Sequence, residues 1–125
     1  MTDSASKLFR ILVWLFLLAV VAQIYLAGLA AVAGQSWDFH TILGHMMGFI
    51  LIPMLIVMYL GGASRQVKLL TWVLFLVWFT QVYILVIYLR GSMPLVAAFH
   101  PVLALADFWL ALRLLGATKP EKTNG

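Results

Sequence analysis

Four long apolar stretches follow one another along the chain, separated by short groups of glycine, serine and charged residues. Apolar residues occupy every side of each stretch instead of one face, which is typical of helices surrounded by lipid. Each stretch is near the roughly 20 residues that cross a hydrocarbon core as a helix, and lipid permits few other backbone structures. We therefore expect an all-α integral membrane four-helix bundle. The predicted spans cover about residues 8–33, 37–61, 67–89 and 94–115.

These spans predict a single domain over residues 1–116, followed by a short disordered cytoplasmic tail over residues 117–125. Hydrophobic residues make up 65% of the chain, charged residues 10%, and the mean hydropathy is +1.07. The lipid bilayer is thus the expected partner of the outer surface, and no nucleic-acid surface is indicated. Because the chain has no cysteine, disulfides, thiolate nucleophiles, iron–sulfur clusters and covalently attached haem are excluded.

The basic residues are distributed unevenly between the two ends of the predicted bundle. Of the eight lysines and arginines, only Arg90 falls in the first or third loop. The positive-inside rule then predicts an N-in/C-in topology with both termini cytoplasmic. The others flank the two termini and the second loop: Lys7, Arg10, Arg65, Lys68, Arg113, Lys119 and Lys122.

An alternative for the first stretch is a cleaved signal peptide. Lys7 and Arg10 precede the apolar run, and Ala31-Val32-Ala33 resembles a cleavage site. The run is longer than an ordinary signal core, however, and it contains Gln23. A retained first span is therefore the preferred interpretation.

One polar residue with strong hydrogen-bonding or metal-ligating capacity lies in each span: Gln23, His45, Gln81 and His100. At 1.5 Å per helical residue, all four lie roughly 21 to 24 Å from the cytoplasmic end. Polar groups at this depth normally face the interior of a bundle. Interhelical hydrogen bonding is one explanation, and it is the preferred one for the two glutamines.

The histidines favour a cofactor, because two imidazoles on different helices at matched height can ligate one metal from both sides. The hypothesis is haem b held by His45 and His100, between helices 2 and 4 near the outer leaflet. Gly44 and Gly48 flank His45, and such small residues let a flat macrocycle approach the backbone.

Two further residues complicate this site. His40 is an alternate ligand to His45, but the two lie about 140° apart around a helix and cannot both point into one pocket. Near Trp37, His40 also fits an interfacial position. Asp107 lies within the fourth span, where an ionised carboxylate is costly, so it should be protonated, hydrated or paired. Trp78 is expected to be a lipid or interface anchor.

The order of these residues resembles one four-helix half of haem A synthase, and also a group of uncharacterised small four-helix bacterial membrane proteins. The resemblance implies a multi-pass protein of the bacterial plasma membrane, with haem between histidines of the second and fourth helices. It is carried by Gln23 and Gly28, by Asp38-Phe39-His40-Thr41-Ile42-Leu43-Gly44-His45, by Gln81, and by His100 with Leu103-Ala104-Leu105-Ala106.

The chain also departs from that family. The glutamate before the family's second-helix histidine is replaced by Trp37 or Ile42, according to which histidine is matched. The arginine after it is replaced by Thr41 or Met46. Haem binding by His100 with His40 or His45 is therefore implied, whereas haem-modifying catalysis is not.

Three functions remain open from the sequence. The first is a haem b protein for electron transfer or redox sensing, acting alone, as a homodimer or within a larger membrane complex. The second is a cofactor-free accessory subunit of such a complex. The third is quinone or proton handling by His45, His100 and Asp107. No nucleophile–base constellation, phosphate loop or zinc motif indicates an enzyme.

Overall fold

Four helices fill the computed structural model, which describes residues 1–118. Helix 1 is Asp3–Ala33, helix 2 is Asp38–Leu60, helix 3 is Arg65–Leu89 and helix 4 is Pro94–Ala117. All four are long and apolar enough to cross a membrane, and the predicted all-α, four-helix organisation is confirmed. Of the predicted tail, Ala117 still belongs to helix 4. Residues 119–125 lie outside the described range.

The helix ends follow local chemistry. Gly34 ends helix 1 in the left-handed conformation (φ 69°), and its N–H donates to the Leu29 carbonyl. A residue with a side chain would be strained at this backbone angle. Ser64 caps helix 3 by accepting a hydrogen bond from the Val67 N–H at 3.3 Å. Pro94 occupies the first turn of helix 4, where its missing N–H costs no helical bond.

The helices pack in a ring in which each contacts its neighbours in the chain, and helix 4 closes against helix 1. Helices 2 and 4 therefore lie across the bundle from each other. One half of the bundle holds the start of helix 1, the second loop and the end of helix 4, and we call it the basic half. Its interior is filled with fully buried apolar side chains, among them Phe9, Val13, Phe16, Leu51, Met54, Met58, Leu74, Ala111 and Leu114.

A guanidinium also joins two helices in the basic half. Arg10 of helix 1 donates from Nη1 to the carbonyl of Leu115 at 2.8 Å, close to the C-terminus of helix 4. Carbonyls at a helix C-terminus lack partners within the helix and carry partial negative charge. The contact therefore satisfies one such carbonyl and places a cation where the helix dipole favours it.

Helices 2, 3 and 4 are irregular in the other half. Helix 2 is interrupted at Met47, between the segments Asp38–Met46 and Gly48–Leu60. Helix 3 changes from α-helix to π-helix at Thr80 and keeps that form to Leu89. Helix 4 is broken just before His100, and Pro101 follows in its first turn. Proline has no N–H for the preceding turn, and π-helical segments are rare and frequently mark functional sites.

Candidate functional site

The irregular half encloses a cavity of about 410 Å³, and we call it the cavity half. This volume lies within the roughly 300–1,000 Å³ that is usual for small-molecule sites. Helices 1 to 4 all contribute to its walls, which are mainly apolar. Asp107 and Gly48 are not part of the lining. The predicted site residues that do line it are Gln23, His40, Gly44, His45, Gln81 and His100.

Two of the histidines face each other across the bundle. The rings of His40 on helix 2 and His100 on helix 4 have centroids 5.9 Å apart and planes at 71°. Both rings are partly buried. Among the described residues, this is the one contact between two histidine rings.

Each of these histidines makes the same contact with a glutamine backbone. His40 Nδ1 lies 3.1 Å from the carbonyl oxygen of Gln23, and His100 Nδ1 lies 3.3 Å from that of Gln81. A carbonyl can only accept, so Nδ1 carries the proton and donates in both rings. The lone pair of each neutral imidazole is then on Nε2. Helices 1 and 2 thus form one half-site, and helices 3 and 4 form a second of the same chemistry.

This donor set fits a metal that needs only two protein ligands. Ligating histidines almost always donate their other ring N–H to a carbonyl, carboxylate or water. A metal–nitrogen bond is about 2 Å long, so two rings on opposite sides of one metal have centroids roughly 6 Å apart. No group of three His, Cys, Asp or Glu suited to a metal ion occurs within residues 1–118. A haem iron fits this set, because the macrocycle supplies the other ligands.

The sequence favoured His45 over His40 as the partner of His100, whereas the structure brings the His40 ring next to His100. His45 Nδ1 instead donates to the Thr41 carbonyl of its own helix at 2.7 Å, and its ring meets Tyr83 edge-on at 5.6 Å. The depth count used only distance along the helix, and it could not show that His40, about 140° away around the same segment, is the ring turned toward helix 4. His45 still lines the cavity, but on a different face of the helix from His40.

Gln81 also makes a hydrogen bond to Asp107, the carboxyl residue within the fourth span. Its Nε2 donates to Oδ2 of Asp107, which is fully buried behind the cavity wall. Asp107 is therefore paired, one of the three states expected for it. Within the described residues, Oε1 of Gln23, Oε1 of Gln81 and Oδ1 of Asp107 are buried without a hydrogen-bond partner. The paired glutamine thus links helices 3 and 4 through both its backbone and its side chain.

The two glycines make room for protein groups. A Cβ on Gly44 would lie 2.7 Å from Nε2 of Gln23, and one on Gly48 would lie 2.8 Å from Cη2 of Trp78. Gly44 lines the cavity beside that amide, whereas Gly48 lies under the indole. Gly48 therefore accommodates a buried ring and not a ligand.

Trp78 is a buried residue of the cavity wall and not the lipid or interface anchor that the sequence predicted. It is only 4% exposed, lines the cavity, and donates from Nε1 to the Gly44 carbonyl at 3.0 Å. Because its N–H has an acceptor inside the bundle, this indole can be buried without a hydrogen bond to water at the membrane interface. The glycine spacing of Gly44 and Gly48 was the available signal that a large ring packs there.

The fold and the cavity define a small four-helix protein in which two imidazoles from opposite helices face each other. Residues 23–88 match a family described as a family of unknown function, DUF6220. Since this match covers just over half of the chain, the protein belongs to that family. The matched segment includes Gln23, His40 and Gln81 and ends before His100. No curated protein and no solved structure matches the chain.

Proposed function

We propose that this is a four-span membrane protein that binds haem b between His40 and His100, for electron transfer or redox sensing. The observation that carries the proposal is the facing pair of imidazoles, each with Nδ1 bonded to a glutamine carbonyl. Bound haem would supply a reversible one-electron centre. The resemblance to half of haem A synthase points to the same two helices.

The residues of the cavity have separate tasks in this proposal. His40 and His100 would hold the haem iron, and the carbonyls of Gln23 and Gln81 fix the rotation of each ring. Apolar walls around them, including Val20 and Val82, keep water away. Low solvent access and hydrogen bonding to axial ligands are two of the means by which a protein sets a haem potential.

The proposed topology places the basic half on the cytoplasmic side of a bacterial plasma membrane. Lys7, Arg65 and Arg113 lie at that end, whereas Arg90 follows helix 3 at the other. The positive-inside rule then gives N-in/C-in spans and puts the cavity in the outer half. Fusion of a reporter that is active only in the cytoplasm, at each terminus and at Ser92, tests this orientation.

The test of haem binding is a reduced-minus-oxidised visible spectrum of the detergent-purified protein, expressed with haem supply. We expect sharp α and Soret bands that disappear in His40→Ala and in His100→Ala. His45→Ala is the matched control, because it changes a cavity histidine that does not face His100. Its spectrum should retain both bands.

Two outcomes would contradict the proposal. Bands that survive His40→Ala but disappear in His45→Ala would mean that the facing pair is not the ligand pair. A folded, haem-supplied protein without bands would leave two competing proposals. An accessory subunit tolerates Asp107→Asn, whereas a quinone- or proton-handling protein should lose its activity when this buried carboxyl is replaced.

A further inference from the structure

Aromatic rings form an unbroken series of contacts along helix 3. The ring centroids of Tyr83 and Trp78 are 5.7 Å apart, those of Trp78 and Phe75 are 5.8 Å apart, and those of Phe75 and Trp72 are 5.8 Å apart. All three distances lie within the range of about 4.5–7 Å for interacting aromatic pairs. We call this series, together with Tyr59, the aromatic chain.

The aromatic chain ends at the basic end of the bundle. Trp72 Nε1 donates to the hydroxyl of Tyr59 on helix 2 at 3.0 Å. The ammonium of Lys68 lies 5.2 Å from the centre of the Tyr59 ring. Trp72 and Tyr59 are 39% and 54% exposed, so a molecule outside the bundle can touch this end of the chain.

The other end of the aromatic chain reaches the cavity. Trp78 lines the cavity, and Tyr83 contacts the cavity histidine His45 at 5.6 Å. The His40 ring, which also lines the cavity, lies 5.6 Å from the Trp37 ring and 5.9 Å from the His100 ring. The aromatic chain therefore ends beside the residues that line the cavity.

We propose that the aromatic chain is the electron path between a one-electron donor at the basic end and the redox group in the cavity. This inference rests on the proposed function. Electrons tunnel more readily through π systems in contact than through saturated side chains of the same span. One electron leaves the donor and reduces the cavity group, with no bond made or broken and no proton required.

The geometry distinguishes this chain from other tryptophans of the bundle. Trp78 is held in one orientation by its bond to the Gly44 carbonyl and by burial on all sides. Trp14 and Trp109, by contrast, are 50% and 56% exposed. Trp109 carries the Arg113 guanidinium over its ring at 5.7 Å, in the way interface tryptophans do. These two residues are matched controls.

The experiment uses the absence of cysteine from the sequence. Arg65→Cys, at the basic end, is labelled with a ruthenium photosensitiser, and a flash with a reductive quencher makes the label a one-electron donor. Transient absorption of the oxidised, haem-loaded protein then gives the rate of haem reduction. We expect Trp72→Leu and Trp78→Leu to slow this rate severalfold, Trp78→Phe to retain most of it, and Trp14→Leu and Trp109→Leu to leave it unchanged.

A second measurement separates this inference from haem binding. In haem-free protein, an oxidative quencher turns the same label into an oxidant, which withdraws an electron from the nearest indole. We expect an indole radical whose yield falls in Trp72→Leu and in Trp78→Leu, and not in Trp109→Leu. If this signal is present but no haem is bound, the path stands and the proposed function fails. Equal haem-reduction rates in all variants, or an indole signal insensitive to Trp72→Leu, would overturn the path.

Discussion

The basic half and the cavity half of this bundle are built from the same four helices and have very different interiors. Phe9, Phe16 and Met54 are fully buried in the basic half, within long regular helical segments. In the cavity half, helix 2 breaks, helix 3 becomes π-helical and helix 4 breaks beside its histidine. One half is organised by apolar packing, and the other by bonds from side chains to backbone carbonyls.

The comparison shows how a chain this apolar builds a polar site. Three rings in the cavity half donate to a carbonyl of another helix: His40 to Gln23, His100 to Gln81, and Trp78 to Gly44. Such bonds fix a ring without requiring a polar partner side chain. The mainly apolar walls can therefore hold three polar rings in defined orientations.

The largest expected effect belongs to the packed interior. Phe16→Ala removes a fully buried ring from the basic half and should lower the free energy of unfolding by roughly 3–5 kcal/mol. Phe49→Ala is the control on the cavity half, because that ring is 73% exposed and should matter little. Reversible unfolding in mixed micelles measures both. Similar losses would show that close packing is not what distinguishes the basic half.

Overpacking the cavity half should cost less. Gly48→Ala places a Cβ 2.8 Å from the buried Trp78 ring, which its bond to Gly44 prevents from moving aside. We expect a loss of about 1–3 kcal/mol in the same unfolding assay. Gly28→Ala has no atom within 4 Å of the new Cβ and should be neutral or stabilising by up to about 1 kcal/mol. A tolerated Gly48→Ala would mean that the indole can shift, and that its position is not fixed.

The third test concerns the buried hydrogen bond between Gln81 and Asp107. Asp107→Leu leaves Nε2 of Gln81 buried without its acceptor and should cost about 1–3 kcal/mol. Asp107→Asn keeps an oxygen acceptor at the same place and should be close to wild type in unfolding. If Asn and Leu destabilise equally, the carboxylate charge matters and the hydrogen bond alone does not explain the pairing.

The smallest expected effect is electrostatic and lies in the basic half. Arg10→Met removes the cation from the Leu115 carbonyl and should cost about 0.3–1 kcal/mol, with the difference shrinking as salt is added. Lys7→Met is the control: its ion pair with Asp3 is 2.8 Å long but highly exposed, so no measurable change is expected. A larger loss of unfolding free energy from Lys7→Met than from Arg10→Met would contradict this order of effects.

Sequence reasoning succeeded where a strong constraint acts on every residue of a segment. Long apolar runs can satisfy their backbone only as helices, so the four helices were predictable from hydropathy and turn residues. Counting along those helices also placed Gln23, His45, Gln81 and His100 at one height, and all four line the same cavity. Helix 1 begins at Asp3 and not near residue 8, because flanking polar residues can extend a helix beyond the apolar run.

The count along helix 2 favoured His45 over His40, but which of the two rings lies next to His100 depends on rotation about that helix. His40 and His45 lie on one helical segment about 140° apart around its axis, and no local residue pattern gave the rotation of that segment toward helix 4. The predicted interface position of Trp78 was wrong for a related reason, since the acceptor for its indole N–H is a backbone carbonyl on another helix. Interhelical hydrogen bonding was expected of the glutamines, and Gln81 makes such a bond to Asp107. Their backbone contacts to the histidines could not be predicted, because every residue has a carbonyl.

The sequence by itself determined four apolar helices, a basic end and a polar layer, because these depend on residue type and on distance along each helix. Only the tertiary structure decided that His40 faces His100, that Gln81 holds Asp107, and that Trp78 connects the cavity to the aromatic chain. Those relations depend on helix rotation, helix breaks and backbone acceptors on neighbouring helices. They are set by packing across the bundle, which residue types and spacings along one helix do not specify.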